Sequence, residues 1–300
     1  MNTLLTSEEA LEIVNEHYNL GDISYCMLIK RGFNDSYLID TGLKKYVFRM
    51  YLDGKYYVES DDAYRFELEL LEQLHEHGVP VARGIPTKSG HLLGVGQTQQ
   101  GKRSFALFHY ADGIPLSRSA LTTEQSYQVG VVMANLHLAT NSFKPKFDRY
   151  KLDLKYLVDE PIRLILEGEK CAEPSDGVMH GKRILDKLQP IESYIDRIKS
   201  IGTDGDKFGI IHADKHLGNM HFCGNELTVF DFDHCAFGWR AYDLAISYSL
   251  PKEQRASMVK GYESRRPLCQ EERDSLQDLG NLRNLWDIGD ILATENLRVD

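Results

Sequence analysis

Asp214, Asn219, Asp231 and Asp233 fall in that order within Gly209 to Ala245, which reads GIIHADKHLGNMHFCGNELTVFDFDHCAFGWRAYDLA. Their types and spacing suit metal-dependent phosphoryl transfer. That reaction asks a protein for a carboxylate to orient the attacking hydroxyl, oxygen ligands for Mg²⁺ and cations for the phosphates. Asp214 follows the apolar strand GIIH by two residues and is placed to accept a hydroxyl proton. Asn219 can turn its amide oxygen toward a cation, and Gly218 beside it suits a loop of unusual backbone geometry. Asp231, at the end of ELTVF, is a hard anionic ligand for Mg²⁺. Asp and Asn are also common caps near strand ends, so each match is weak by itself. Four matches in order outweigh that reading.

The rest of the chain must position these groups. Three hundred residues, 42% hydrophobic and 27% charged, are enough for two packed units. A net charge of −10 argues against a broad nucleic-acid or anionic-membrane surface and suits a cationic small substrate. The five cysteines are scattered and never paired as C-x-x-C, which argues against a disulfide framework or zinc ribbon and for a cytoplasmic home. The histidines and cysteines between His212 and Cys235 lack the spacing of a zinc site, and no G-x-S-x-G hydrolase elbow is present. The N-terminus has no leader pattern, and no apolar run reaches membrane-spanning length.

Thr6 to Glu9 has capping-box spacing ahead of a helix to about Tyr18. Three short strands follow between Ile23 and Tyr51, then a helix over 59–77 that stops at Gly78, then strands in HLLGVG and RSFALFHY. Beyond Asp112 the pattern turns helical: Thr122–Ala139, 151–167, 182–200, 251–263 and 270–291, with the polar stretch GEKCAEPSDGVMHGK as a loop. The fold class is therefore α+β, with a small antiparallel-sheet lobe over 1–110 and a mainly helical lobe over 111–300.

His212-x-Asp214-x4-Asn219, then Phe230-Asp231-Phe232-Asp233, then Tyr242-Asp243-Leu244-Ala245 resemble the aminoglycoside phosphotransferase and choline-kinase-like family of small-molecule kinases. The likeness is nearest to the branch with type II homoserine kinases and a bacterial stress-response kinase. It implies a two-lobed protein-kinase-like fold, ATP and Mg²⁺ as cofactors, Asp214 as catalytic base or orienting carboxylate, and Asn219 and Asp231 as metal ligands. Asp233 stands where protein kinases have the Gly of D-F-G, and is a further metal candidate. By the same likeness Asp243 braces the catalytic loop from below; the apolar strand before His212 makes that residue a brace rather than a base.

The resemblance places the nucleotide contacts upstream. In YVFRMY, alternation puts Tyr46, Phe48 and Met50 on one face and Val47, Arg49 and Tyr51 on the other. Arg49 occupies the position of the Lys in the kinase V-A-I-K strand, where a planar fork replaces a point charge. Its expected partner is Glu67, an acid on the apolar stripe of its helix, with Glu69 as competitor. Gly32, Asn34 and Ser36 lie in the turn where kinases cover the phosphates, and amides from Phe33 to Ser36 are candidates for an anion nest. Tyr110 and Ala111 stand at the adenine-binding hinge. The implied acceptor is a small hydroxyl compound bearing an amine. The alternatives are a Ser/Thr protein kinase of the bacterial stress-response type and a regulatory pseudokinase, and the presence of Asp214, Asn219 and Asp231 argues against the pseudokinase alone.

Overall fold

The computed structural model describes residues 3–99, 101–171, 173–214, 216–294 and 297. The chain enters helix α1 (Ser7–His17) through the expected capping box: Thr6 Oγ1 accepts from the Glu9 amide at 3.1 Å, and Glu9 Oε2 accepts from the Thr6 amide at 2.8 Å. Strands β1 (Tyr25–Arg31), β2 (Asn34–Asp40) and β3 (Lys45–Tyr51) form an antiparallel meander. Helix α2 (Asp62–Glu76), β4 (Gly84–Ile85), β5 (Gly94–Thr98) and β6 (Gly101–His109) complete the small lobe, whose sheet runs β1-β2-β3-β6-β4 with β5 also on β6.

Alternation along β3 sorts its side chains as the pattern requires. Tyr46, Phe48 and Met50 pack with Ala10, Ile13 and Val14 of α1, while Tyr51 turns to the opposite face and joins Phe66 and Leu70 of α2. That second cluster continues without a break into the helical lobe. Helix α2 therefore belongs by packing to both lobes.

The larger lobe begins with β7 (Ile114–Pro115) and α3 (Thr123–Ala139), which starts at a capping box between Thr122 and Gln125. Strand β8 (Lys151–Leu152) and a π-helical turn over Lys155–Asp159 lead to α4 (Glu160–Gly168), α5 (Asp176–Lys187) and α6 (Glu192–Ile201). Next come β9 (Phe208–Ile211), β10 (Met220–Cys223), β11 (Glu226–Val229), β12 (Ala236–Trp239), α7 (Ala241–Leu244), α8 (Lys252–Glu263) and α9 (Gln270–Thr294). Two three-stranded sheets, β11-β10-β7 and β8-β12-β9, hold the polar loops of this lobe. Helices α3 and α8 meet backbone to backbone: a Cβ on Gly130 would lie 2.0 Å from the Met258 carbonyl oxygen, and one on Gly261 2.0 Å from that of Tyr127.

The stretch expected as a loop at 168–182 is instead half helix. Ser175 caps α5 by accepting from the Val178 amide at 3.3 Å. Gly181 then lets α5 close on Ile165 and Ile288, where a Cβ would stand 2.8 Å from each. Tertiary packing outweighs the polar composition here. Among the described residues, no helix is long and apolar enough to cross a membrane.

Candidate active site

Strand β9 ends at Ile211, and the chain turns sharply into the stretch that carries Asp214. Asp243, fully buried at the start of the short helix α7, holds this turn. Its Oδ2 accepts from the His212 amide at 2.8 Å and its Oδ1 from the Ala213 amide at 3.0 Å. His137 Nε2 lies 3.1 Å from the same Oδ2, and its Nδ1 lies 2.7 Å from the Tyr262 hydroxyl. Ala213 is drawn into the left-handed region, φ +66°, a rare and strained conformation for a residue with a Cβ. The His212 ring spans to the Phe230 carbonyl at 3.1 Å, tying this loop to the end of the β10-β11 hairpin.

Asp214 follows. Asn219 Nδ2 donates to its carbonyl at 3.0 Å and to its Oδ2 at 3.1 Å, while Arg283 of α9 reaches Oδ1 at 3.3 Å. Burial pushes the Asp214 carboxyl up to about 6, against the opposing pull of His234 and Arg283. A base in that range remains largely ionised at neutral pH and matches a proton-transfer task. His216 is 3.7 Å from Asp214 Oδ2, and burial with Arg283 and Lys30 nearby lowers its imidazole to about 4, so it stays neutral.

Asp231 also adopts a left-handed backbone, φ +65°. Arg49 donates to its Oδ1 at 2.9 Å and Lys30 to its Oδ2 at 3.2 Å. Burial opposes ionisation, but the two cations prevail and hold the carboxyl down at about 2. Arg49 also donates to Glu67 Oε1 at 2.7 Å, and the Tyr51 hydroxyl donates to Glu67 Oε2 at 3.0 Å. Glu69 instead turns away and accepts from the Lys146 amide at 3.0 Å. One helix residue thus meets the strand cation, and its neighbour two positions on does not.

Asp233 serves a different partner. Lys55 Nζ lies 3.0 Å from its Oδ1 and 2.9 Å from its Oδ2, and the Tyr57 hydroxyl donates to Oδ2 at 3.2 Å, all in buried surroundings. Both oxygens of Asp233 are therefore engaged in an ion pair between the lobes. The turn between β1 and β2 is also shorter than expected. Asn34 through Ser36 already belong to β2, paired with β1 and β3, so Gly32 and Phe33 are the turn and the expected run of loop amides is curtailed. The Asn34 side chain accepts from the Leu52 amide at 3.2 Å and Lys55 Nζ at 2.8 Å, which makes it a structural anchor.

Three spaces meet around these groups. A cleft of about 380 Å³ between the lobes is lined by Ser36, Arg49, Glu67, Tyr110, Ala111, Asn219 and Asp231 among others. A cavity of about 840 Å³ lies beyond, walled by α9 and bordered by Gly32 and Asp214. A narrow gap of about 20 Å³ shares Asp214 with the cavity and Ser36 and Asp231 with the cleft, and is also lined by Asn34 and Asp233. Asp287, Asp290, Trp286 and Arg283 of α9 all line the larger cavity. None was legible as a site residue: α9 reads as an amphipathic helix, and its acids fall at helical spacing like any solvated face. The acids of 151–167 do not line it; Glu160 and Glu167 flank Arg163 at 2.8 and 2.7 Å.

The donor set fits a hard cation. Asn219 commits its amide nitrogen to Asp214, which turns its oxygen the other way, and Asn219 and Asp231 both line the cleft.

The model of the phosphotransferase enzyme family matches residues 28–279. A homoserine kinase of Agrobacterium fabrum is 26% identical over 292 residues, covering 91% of this chain and 81% of the relative. Among solved structures, a microcompartment-associated aminopropanol kinase superposes with a TM-score of 0.75 at 22% identity, over 96% of this chain and 92% of that one. Amicoumacin kinase in complex with AMP-PNP, Ca²⁺ and Ami gives a TM-score of 0.74 at 19% identity, over 97% and 88% of the two chains. These likenesses show the expected two-lobed fold.

Proposed function

The chain belongs to the phosphotransferase enzyme family, and from that premise we infer that it is an ATP-dependent kinase of a small polar acceptor bearing both a hydroxyl and an amine. The observation that carries this reading is the shared gap, in which Asp214 on the cavity side faces Asp231 and Arg49 on the cleft side. A phosphoryl group crossing there would pass from nucleotide to acceptor beside Asp214, a half-buried carboxylate whose raised carboxyl suits it to taking a proton.

In this assignment residues 1–110 bind nucleotide and residues 111–300 supply catalysis and the acceptor pocket. The adenine lies against the main chain at Tyr110 and Ala111, and Arg49, held by Glu67, grips the phosphates with a planar fork. Ser36 presents a hydroxyl to the same cleft. Asn219 and Asp231 would hold Mg²⁺, which when bound neutralises phosphate charge. Asp214 orients the acceptor hydroxyl and takes its proton as the new bond to phosphorus forms. Asp233 acts through its Lys55 pair, fixing the loop that carries Asp231 rather than touching metal.

The amine rests on chemistry and on relatives. Asp287 and Asp290 place acid in the larger cavity, and Trp286 adds a ring that can face a cation. Relatives named for homoserine and aminopropanol act on compounds that carry both groups. No relative reported above favours a protein acceptor.

The test is ADP release from Mg-ATP across amino alcohols, homoserine, amine-free diols and a generic protein, beside Asp214→Ala. Turnover confined to small amino alcohols and lost in the variant is the expected result. Undiminished turnover in Asp214→Ala removes the catalytic assignment, and labelling of protein alone removes the small-acceptor reading.

A further inference from the structure

Among the described residues, Lys30 alone lines the cleft, the gap and the larger cavity together. Strict alternation would not bring it there. Cys26 and Leu28 of β1 pack on the side of the sheet that faces α1, and Lys30, two residues on, would follow them. The register with β2 shifts between Leu28, which pairs with Tyr37, and Lys30, which pairs with Ser36. That bulge inserts an extra residue and breaks the parity, so Ile29 and Lys30 both border the cleft. Bulges of this kind re-aim side chains beside active sites.

The re-aimed ammonium reaches Asp231 Oδ2 at 3.2 Å, yet the side chain remains 54% exposed. Arg49, by contrast, is buried and committed to both Glu67 and Asp231. One cation is fixed, and the other is held by a single contact at the point where three spaces meet.

On the kinase reading given above, we propose that Lys30 is a mobile phosphate clamp: in the nucleotide-free enzyme it occupies the Asp231 oxygen that a metal would take, and in the loaded enzyme it donates to the γ-phosphoryl oxygens during transfer. The bond from γ-phosphorus to the bridging oxygen breaks, with its electron pair leaving on ADP, while the acceptor oxygen bonds to phosphorus and its proton goes to Asp214. Lys30 takes no part in the proton transfer and supplies positive charge to the equatorial oxygens.

Two separable measurements test this with Lys30→Ala and Lys30→Arg. Mn²⁺ titration of the nucleotide-free protein, followed by electron paramagnetic resonance, is expected to show several-fold tighter binding to Lys30→Ala, because its competitor for Asp231 is gone. Steady-state assays should show kcat reduced about 10²-fold in Lys30→Ala with the KM for ATP little changed, and Lys30→Arg recovering part of the loss. Unchanged or weaker Mn²⁺ binding in Lys30→Ala overturns the placeholder role, and kcat within twofold of wild type overturns the clamp. Should the wild type phosphorylate no acceptor, the kinase reading falls, while the Mn²⁺ titration still decides the placement of Lys30.

Discussion

Arg49 shows how a side chain's geometry decides its role. Its two terminal nitrogens reach two different carboxylates, Glu67 and Asp231, at 2.7 and 2.9 Å. Lysine, a point charge on a flexible stem, cannot bridge both in one plane. Arg49→Lys is therefore expected to cost either Glu67 or Asp231 its guanidinium contact and to raise the KM for ATP about tenfold, a loss of about 1.4 kcal/mol. Initial rates over a range of ATP concentrations check this, and an unchanged KM would count against the assignment. The helix period narrowed the partner to Glu67 or Glu69, but only the fold could choose. Lys55 and Lys30 were not legible at all. The first finds Asp233 far along the chain, and the second depends on a bulge that the apolar pattern of β1 does not announce.

At the scale of the element, the loop that carries Asp214 is held from beneath by α7. Two backbone amides, those of His212 and Ala213, donate to the single buried carboxylate of Asp243. Hydrogen bonds to a charged group contribute about 1.5–3 kcal/mol each, enough to hold Ala213 in its strained conformation, which costs about 1–3 kcal/mol. Asp243→Asn can accept at only one atom and points an amide at a donor. Its predicted effect is a loss of about 2 kcal/mol in urea unfolding, with kcat lowered and the KM for ATP little altered, since Arg49 and Glu67 lie in the other lobe. Equal damage to both kinetic constants would show that Asp243 supports the whole cleft instead. The elements themselves were largely readable, because capping boxes at Thr6 and Thr122 and alternation in β3 are local signals. Helix α5 was not, since its stabilising contacts come from Ile165 and Ile288 on other helices.

At the scale of the whole molecule, the lobes are joined by buried charge. The Lys55–Asp233 pair spans them, and the His137, Asp243 and Tyr262 network ties α3 to α7 and α8 beneath the loop that carries Asp214. Such a network makes stability depend on pH, and the sign can be worked out for His137. Burial, against the pull of Asp243, lowers its imidazole to about 4, below the ordinary 6.5. Between those values the unfolded chain binds a proton that the folded chain refuses, so the stability contributed by the neutral ring is full above pH 6.5. It is lost as the pH falls toward 4, by about 3 kcal/mol over the full span. Asp290 works in the opposite sense, because burial raises its carboxyl and acid then favours the folded form. The informative quantity is therefore a difference between proteins. His137→Gln keeps a donor for Asp243 and an acceptor for Tyr262 but cannot titrate. Urea unfolding of both proteins at pH 7 and pH 4.5 should show the wild type losing about 2–3 kcal/mol more than the variant on acidification. Parallel losses would mean that His137 is already charged in the folded protein, and that Asp243 holds the loop as one half of an ion pair rather than as the acceptor of a neutral ring.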